Sequence, residues 1–473
     1  MRSVFATALS AALLFGEAGA ASAQPSEPAF PAAAVTAAVT AILAAQKAPS
    51  ATVEVVQNGT VTYVHAFGVR DVGTNAPADI GTHYEIGSMT KQFTAAAILQ
   101  LQEAGKVHID DPVSTYLPNA PHAREITVRQ LLTQRSGLFN YTDVPQFEDK
   151  IRTPGSYAKI VALVGSKPLH FTPGSRWEYS NTNYILLGRI IELVSGQRYN
   201  DYIREHEFEP AGMTQTTTIA HEAKTPDMAR GYTLDHGQVT PSLLLDDAWP
   251  WSAGNIVSTV GDYEKWMDAL TSGKIVTPAD FEEMTTATAA NRIDTNSAYG
   301  FGFIIDQTDG QPNIWHNGGT NGFYTDGAYF PRQETRIAVF TNLDTAFPEA
   351  IVAKIFELAF PEVAAAALRP AAGEDLAVTK RLKAFFMDLL AAKVDRTELT
   401  AAMSKRLTPQ RASGFPATVK PLGTFSALIY RGKSVIDSMT EYDYAATFAN
   451  GTLKASFYID NATDRIAKLD ITM

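Results

Sequence analysis

The chain has 473 residues, 45% of them hydrophobic and 19% charged, the balance of a globular protein with a large core and not of a disordered one. A formal net charge of −11 repels nucleic-acid phosphates and argues against DNA or RNA as a partner. The absence of cysteine excludes disulfides and thiol chemistry, and the nine histidines show no His-Glu-x-x-His spacing, so neither a metal nor a cofactor is expected.

The first segment reads as an export signal. Arg2 supplies a positive start, Val4 to Gly16 is apolar and small, and Ala21-Ser22-Ala23 is an Ala-x-Ala cleavage site before Gln24-Pro25. The apolar run is short for a bilayer and Glu17 interrupts it. Residues 1–23 are therefore expected to be removed, leaving a periplasmic or secreted protein without a transmembrane span.

Ala34 to Ala45 then reads as an alanine-rich amphipathic helix. Ala51–Gln57 and Val61–Val69 read as strands joined at Asn58-Gly59, a hairpin turn. Ser88 to Ala104 is expected to be a helix with Phe93, Ala97 and Leu101 on one face and Gly105 as its stop. Val128–Gln134 and Tyr184–Val194 read as further helices. Trp315 to Phe330 and Arg336 to Asn342 read as late strands. Strands at both ends with helices between them give an α+β domain over residues 24–368, one antiparallel sheet with a helical insert.

A linker follows at Arg369-Pro370-Ala371-Ala372-Gly373-Glu374. Beyond it Leu382, Phe385, Phe386, Leu389 and Leu390 make a helical stripe. Alternation at Tyr442, Tyr444, Ala446 and Phe448, then at Leu453, Ala455, Phe457 and Ile459, flanks Asn450-Gly451. Ala467, Leu469 and Ile471 alternate with Lys468 and Asp470. Residues 375–473 are expected to form a small domain of helix and antiparallel sheet.

Three short patterns carry chemistry. In Ser88-Met89-Thr90-Lys91 the amine lies one helical turn from a hydroxyl, and a serine needs a base to become a nucleophile. A partly buried Lys91 can be that base, because burial disfavours its charge. A second Ser-x-x-Lys, Ser156 to Lys159, is read as a helix cap with a solvated lysine, since only Ser88 opens a long apolar helix ahead of the other parts. Tyr179-Ser180-Asn181 offers a phenol to relay a proton and an amide to hold a substrate amide, both able to point into one cleft from an extended or loop segment. His316-Asn317-Gly318-Gly319 ends an apolar strand start, and its glycines let backbone lie against a substrate.

These residues resemble the family of class C β-lactamases, serine DD-carboxypeptidases, D-amino-acid amidases and related esterases. The resemblance runs through Tyr84 to Thr94, Leu131-Leu132-Thr133-Gln134-Arg135-Ser136-Gly137-Leu138, Tyr179 to Gly188, Ser252 to Thr259 and Tyr299-Gly300-Phe301-Gly302-Phe303, within about Pro28 to Phe360. It implies a β-lactamase/transpeptidase-like fold in which Ser88 is acylated and Lys91 and Tyr179 share base and acid duty. Asn181 would contact the acyl side, the N–H groups of Ser88 and Gly319 would form the oxyanion hole, and His316 and Gly318 would stand in the third motif. The substrate implied is a small ester, a D-peptide or a peptidoglycan-like molecule. The alternatives are a β-lactamase, or a non-catalytic homologue that binds peptidoglycan or a protein partner. Two departures stand out. No Lys-Thr-Gly is present, so a β-lactam carboxylate loses a permanently charged partner. Gln134 stands where the family commonly has histidine, and a structural effect only is expected there.

Overall fold

The computed structural model describes residues 29–472 except 146, 219–224, 226, 244, 247, 294–296, 437 and 450. The expected export signal over residues 1–23 and the turn residue Asn450 lie outside the described residues. Among the described residues no helix is long and apolar enough to cross a membrane.

Positive φ at Asn58 and Gly59, 50° and 72°, turns β1 (Ser50–Gln57) into β2 (Thr60–Asp71), and a short β3 (Ala76–Pro77) pairs with the end of β2. The late strands are β4 (Ala298–Tyr299), β5 (Ile304–Thr308), β6 (Gln311–Thr320), β7 (Phe323–Phe330) and β8 (Thr335–Thr341). They join the first hairpin in one antiparallel sheet of order β3-β2-β1-β8-β7-β6-β5-β4. The closure lies between β1 and β8, where Ala51 faces Thr341 and Gln57 faces Thr335. Both faces of β1 are buried, which requires helices on both sides of the sheet. On one side α1 (Ala32–Gln46) buries Val35, Val39 and Leu43 and meets α6 (Pro348–Ala359), which lies over β7 and β8. On the other side α5 (Val260–Thr271) lies against β1 and β8.

The helical insert is built around α2 (Thr90–Glu103). Every residue from Thr90 to Leu99 is buried, so α2 is a core helix whose buried surface extends well beyond the face of Phe93, Ala97 and Leu101. Phe93 stacks on Trp266 of α5 at 3.9 Å between centroids. The helix also begins later than expected: Gly87–Met89 is a separate 3-10 turn. Close packing against α2 explains Gly302. Its φ is +78°, and a Cβ there would stand 2.8 Å from the backbone of Lys91 and Gln92.

The C-terminal residues form a second antiparallel sheet, β9 (Phe425–Ile436), β10 (Met439–Phe448), β11 (Gly451–Asp460) and β12 (Arg465–Thr472), in that order. The helices α7 (Leu376–Leu390), α8 (Ala401–Arg406) and α9 (Pro409–Val419) precede it. Leu382, Phe385 and Phe386 of α7 are buried with Phe448, Leu453 and Phe457, Leu389 is also buried, and Leu390 packs at the margin. In the last strand Leu469 and Ile471 pack against the core as the alternation has it, but a register shift between Tyr458 and Ile459 sets Ile459 opposite Ile466, so Ile466 takes the buried place in front of Ala467. This sheet meets the hydrolase-like part through β11 on α6.

Gly302→Ala is expected to lower stability by about 2–4 kcal/mol, the combined cost of a left-handed backbone and an overlap with α2. Thermal unfolding checks this, and an unchanged Tm would show that α2 is not held by that contact.

Candidate active site

Lys91 is fully buried in the first turn of α2. Its Nζ lies 2.9 Å from Ser88 Oγ, 2.9 Å from Asn181 Oδ1 and 2.7 Å from the Ala253 carbonyl oxygen. A neutral amine has two N–H donors and one lone pair. The amide oxygen and the carbonyl can only accept, so they take the two N–H groups and leave the lone pair facing the Ser88 hydroxyl. Burial holds the Lys91 amine well below the ordinary value of 10.5. The rings of Tyr179 and Tyr184 cover it at 5.0 and 5.6 Å, and among the described residues no carboxylate pairs with it.

The small sheet of Tyr84–Glu85, Thr217–Thr218 and Ile256–Ser258 ties this arrangement together. The Ile86 N–H donates to the Ile256 carbonyl, and Thr94 Oγ1 donates to the Ser252 carbonyl at 2.6 Å. The nucleophile turn and the Ala253 carbonyl are thereby fixed relative to each other. At the competing motif, Ser156 caps the helix Tyr157–Val164 by accepting from the Lys159 N–H, and Lys159 Nζ donates to the Pro154 carbonyl. That serine and lysine do not face one another.

Tyr179 donates its hydroxyl to Ser88 Oγ at 2.8 Å, and burial pushes its phenol up, so it keeps its proton at neutral pH. The chain is extended only as far as Ser180. Asn181 is already the first residue of α4 (Asn181–Ser195), a correction to the extended or loop segment expected there. Gln134 holds this junction. Buried, at φ 59°, it accepts from the Ser180 N–H at 3.0 Å and from Asn183 Nδ2 at 2.5 Å with one amide oxygen. Its backbone carbonyl accepts from the Glu178 N–H at 3.0 Å. Tyr179 is thus gripped on both sides by a single residue.

His316 lies within β6 and not in a turn at its end, and is 1% exposed. Nδ1 faces the Asn317 carbonyl, which can only accept, so the proton is assigned to Nδ1. Nε2 then accepts from the Tyr299 hydroxyl at 3.0 Å. Burial first, and the neighbouring Lys91 second, push the imidazole down to about 3, so it is neutral. Both nitrogens are occupied by the protein. Asn317, on the other face of the strand, donates to Glu349 Oε1 at 2.7 Å and to the Tyr324 hydroxyl at 3.0 Å, tying β6 to α6. The glycines serve the protein's own backbone. A Cβ at Gly318 would be 1.8 Å from the Ile86 carbonyl oxygen, and one at Gly87 would be 2.9 Å from that of Gly319. The nucleophile turn can therefore lie directly on β6.

A cavity of ≈ 670 Å³ opens from Ser88. Its lining includes Asn181, the Gly319 and Thr320 end of β6, Asn321, and the rings of Tyr141, Phe147 and Trp249. Strand β5 pairs with β6 only as far as Trp315, which leaves the later residues of β6 without a strand partner on that side. Lys91, Tyr179, His316 and Gly318 stand outside the cavity lining, and so does the whole C-terminal sheet. Sequence reasoning did not single out Gln134, Tyr299 or the Ala253 carbonyl as parts of this site. Their signal lay in the matched segments around Gln134, Ser252 and Tyr299.

The family model described as Beta-lactamase matches residues 35–360. "Putative penicillin-binding protein PbpX" of Bacillus subtilis (strain 168) is 32% identical over 295 residues, covering 62% of this chain and 71% of that protein. Among solved structures, a D-stereospecific amidohydrolase from Streptomyces sp. superposes with a TM-score of 0.61 at 28% identity, covering 69% of this chain and 98% of that one. An octameric penicillin-binding protein homologue from Pyrococcus abyssi, at 23% identity, shares the fold over 93% of this chain and 97% of its own, with a TM-score of 0.62.

Gln134→Leu removes both side-chain acceptor contacts at nearly constant size. It is expected to slow acylation of Ser88 about tenfold or more, the equivalent of one hydrogen bond's worth of misplacement. Single-turnover labelling with a fluorophosphonate measures this, and a wild-type rate would mean that Gln134 does not hold Tyr179 in place.

Proposed function

The chain belongs to the Beta-lactamase family of serine hydrolases, and from that premise we propose that it hydrolyses esters or D-amino-acid amides through an acyl-enzyme on Ser88. The observation that carries this reading is the state of Lys91: an amine removed from water, without an acid partner, 2.9 Å from the Ser88 hydroxyl.

In the proposed reaction the Ser88 hydroxyl proton passes to Lys91 Nζ as Oγ bonds to the substrate carbonyl carbon. The carbonyl electron pair moves onto oxygen, which is held by the N–H groups of Ser88 and Gly319. Collapse of this intermediate restores the carbonyl and breaks the bond to the leaving oxygen or nitrogen. The leaving group takes a proton from Tyr179, which is replenished from Lys91. Water then attacks the ester, gives its proton to the same base, and Ser88 leaves with its hydrogen restored. Asn181 serves two ends: its oxygen fixes Lys91 and its N–H₂ remains available to a substrate amide.

The substrate class follows from charge. Among the described residues no lysine or arginine lines the cavity, and His316 is neutral with both nitrogens engaged. A carboxylate-bearing β-lactam finds no cation there. An ester or an amide needs none, and the Streptomyces amidohydrolase supports a D-amino-acyl substrate by likeness.

A fluorophosphonate should label the peptide containing Ser88, and Ser88→Ala should abolish that labelling. Lys91→Ala and Tyr179→Phe should each slow acylation by about 10²–10⁴-fold. Label on Ser156, or near-normal rates in both variants, would refute the assignment. The pH dependence has a definite sign. Lys91 must be unprotonated to act, and its pKa is depressed, so kcat/KM should be flat through the alkaline range and fall only as pH drops through that depressed value. A rate still climbing toward the ordinary lysine value of 10.5 would show that Lys91 is charged at neutral pH.

A further inference from the structure

The cavity beside Ser88 is lined by hydrogen-bonding groups, among them Asn181 and the Gly319 and Thr320 end of β6, and by a cluster of rings with the aliphatic Val144, Ile151 and Leu245 around it. Phe147 meets Tyr141 edge-on with centroids 5.5 Å apart and Trp249 edge-on at 5.6 Å. The polar tips of the outer two rings are spent on backbone: the Tyr141 hydroxyl donates to the Trp249 carbonyl, and Trp249 Nε1 donates to the Thr153 carbonyl at 2.8 Å. Tyr141 and Trp249 are 2% and 3% exposed, so packing fixes them. Asp149 is the only charged residue among those described in the lining.

We propose that the acyl half of the substrate is a bulky aromatic group without a carboxylate, seated against Tyr141, Phe147 and Trp249 with its carbonyl at Ser88. This deepens the serine-hydrolase reading and rests on it. Three rings already held edge to face offer a fourth ring the geometry that aromatic pairs prefer, whereas an alkyl chain gains only burial. The volume accommodates a ring and a short linker. Among the described lining residues the only charge is that of Asp149, so a carboxylate on the acyl group would lose hydration without gaining a partner in that lining.

The test uses p-nitrophenyl esters of acetic, hexanoic, 3-phenylpropanoic and 3-(4-carboxyphenyl)propanoic acids. Each kcat/KM is divided by that ester's own alkaline hydrolysis constant. The phenylpropanoyl ester should exceed the acetyl ester by about 30-fold, the return on burying one ring. The hexanoyl ester should fall between them, and the carboxylated ring should lose most of the gain. In Phe147→Ala and Trp249→Ala the phenylpropanoyl-to-acetyl ratio should fall severalfold. That ratio does not depend on the fraction of active protein, so partial misfolding cannot imitate the result. Equal rates for acetyl and phenylpropanoyl esters, a preference for the carboxylated ring, or a ratio unmoved in both variants would overturn the proposal while Ser88 still labels. If no ester turns over and Ser88 stays unlabelled, the serine-hydrolase reading has failed and the inference falls with it.

Discussion

An amine that is to be neutral at neutral pH has to be withdrawn from water and kept from acids, and still be given hydrogen bonds. Lys91 meets all three conditions. It is fully buried, covered by two tyrosine rings, and its Nζ is met by two obligate acceptors and one hydroxyl. A carboxylate at the same distance would restore the charge and remove the base. Much of the surrounding structure can be understood as what it takes to hold one buried amine beside one hydroxyl.

That requirement explains the architecture of the insert. Helix α2 is buried on every side because the lysine it carries cannot be reached by water. Gly302 permits backbone contact with the helix at Lys91 and Gln92, Thr94 ties the helix to the Ser252 carbonyl, and Lys91 itself reaches the Ala253 carbonyl. Strand β6 supports the nucleophile turn directly, through glycines at both faces of the contact. The opposite face of β6 is fastened to α6 through Asn317 and Glu349. β11 of the C-terminal sheet also lies on α6, and among the described residues that sheet contributes nothing to the cavity lining.

The parts of this design that depend on local pattern could be read in the amino-acid order. The β1–β2 hairpin follows from Asn58-Gly59, and the α7 stripe and the alternation in β10 and β11 follow from apolar period. The ordered trio of motifs points to Ser88, Lys91 and Tyr179, and the structure sets their polar atoms within hydrogen-bonding distance of one another. What escaped reading depends on distant chain. Strand β9 is interrupted by Arg431-Gly432-Lys433 and shifts register there, so its alternation is broken. Helices α8 and α9 are short, and α9 contains Gly414 and Pro416, which read as loop. The burial of α2 on all faces is decided by its neighbours and not by its own period. Gln134 resembles an ordinary polar residue until its oxygen is seen between Ser180 and Asn183, residues 46 and 49 positions away. His316 invites a reading as a surface ligand because sequence carries no sign that Tyr299 will occupy its second nitrogen.

The central claim is that the Lys91 amine is the group whose titration governs acylation. The chain contains no cysteine, so Lys91→Cys introduces a single thiol. Alkylating that thiol with bromoethylamine in the unfolded chain and refolding yields an amine of lysine length that is intrinsically less basic. If Lys91 is the base, acylation recovers and the acid limb of its pH profile moves to lower pH by the difference in basicity. A recovered rate with an unmoved limb would place the governing proton on another group and contradict the account.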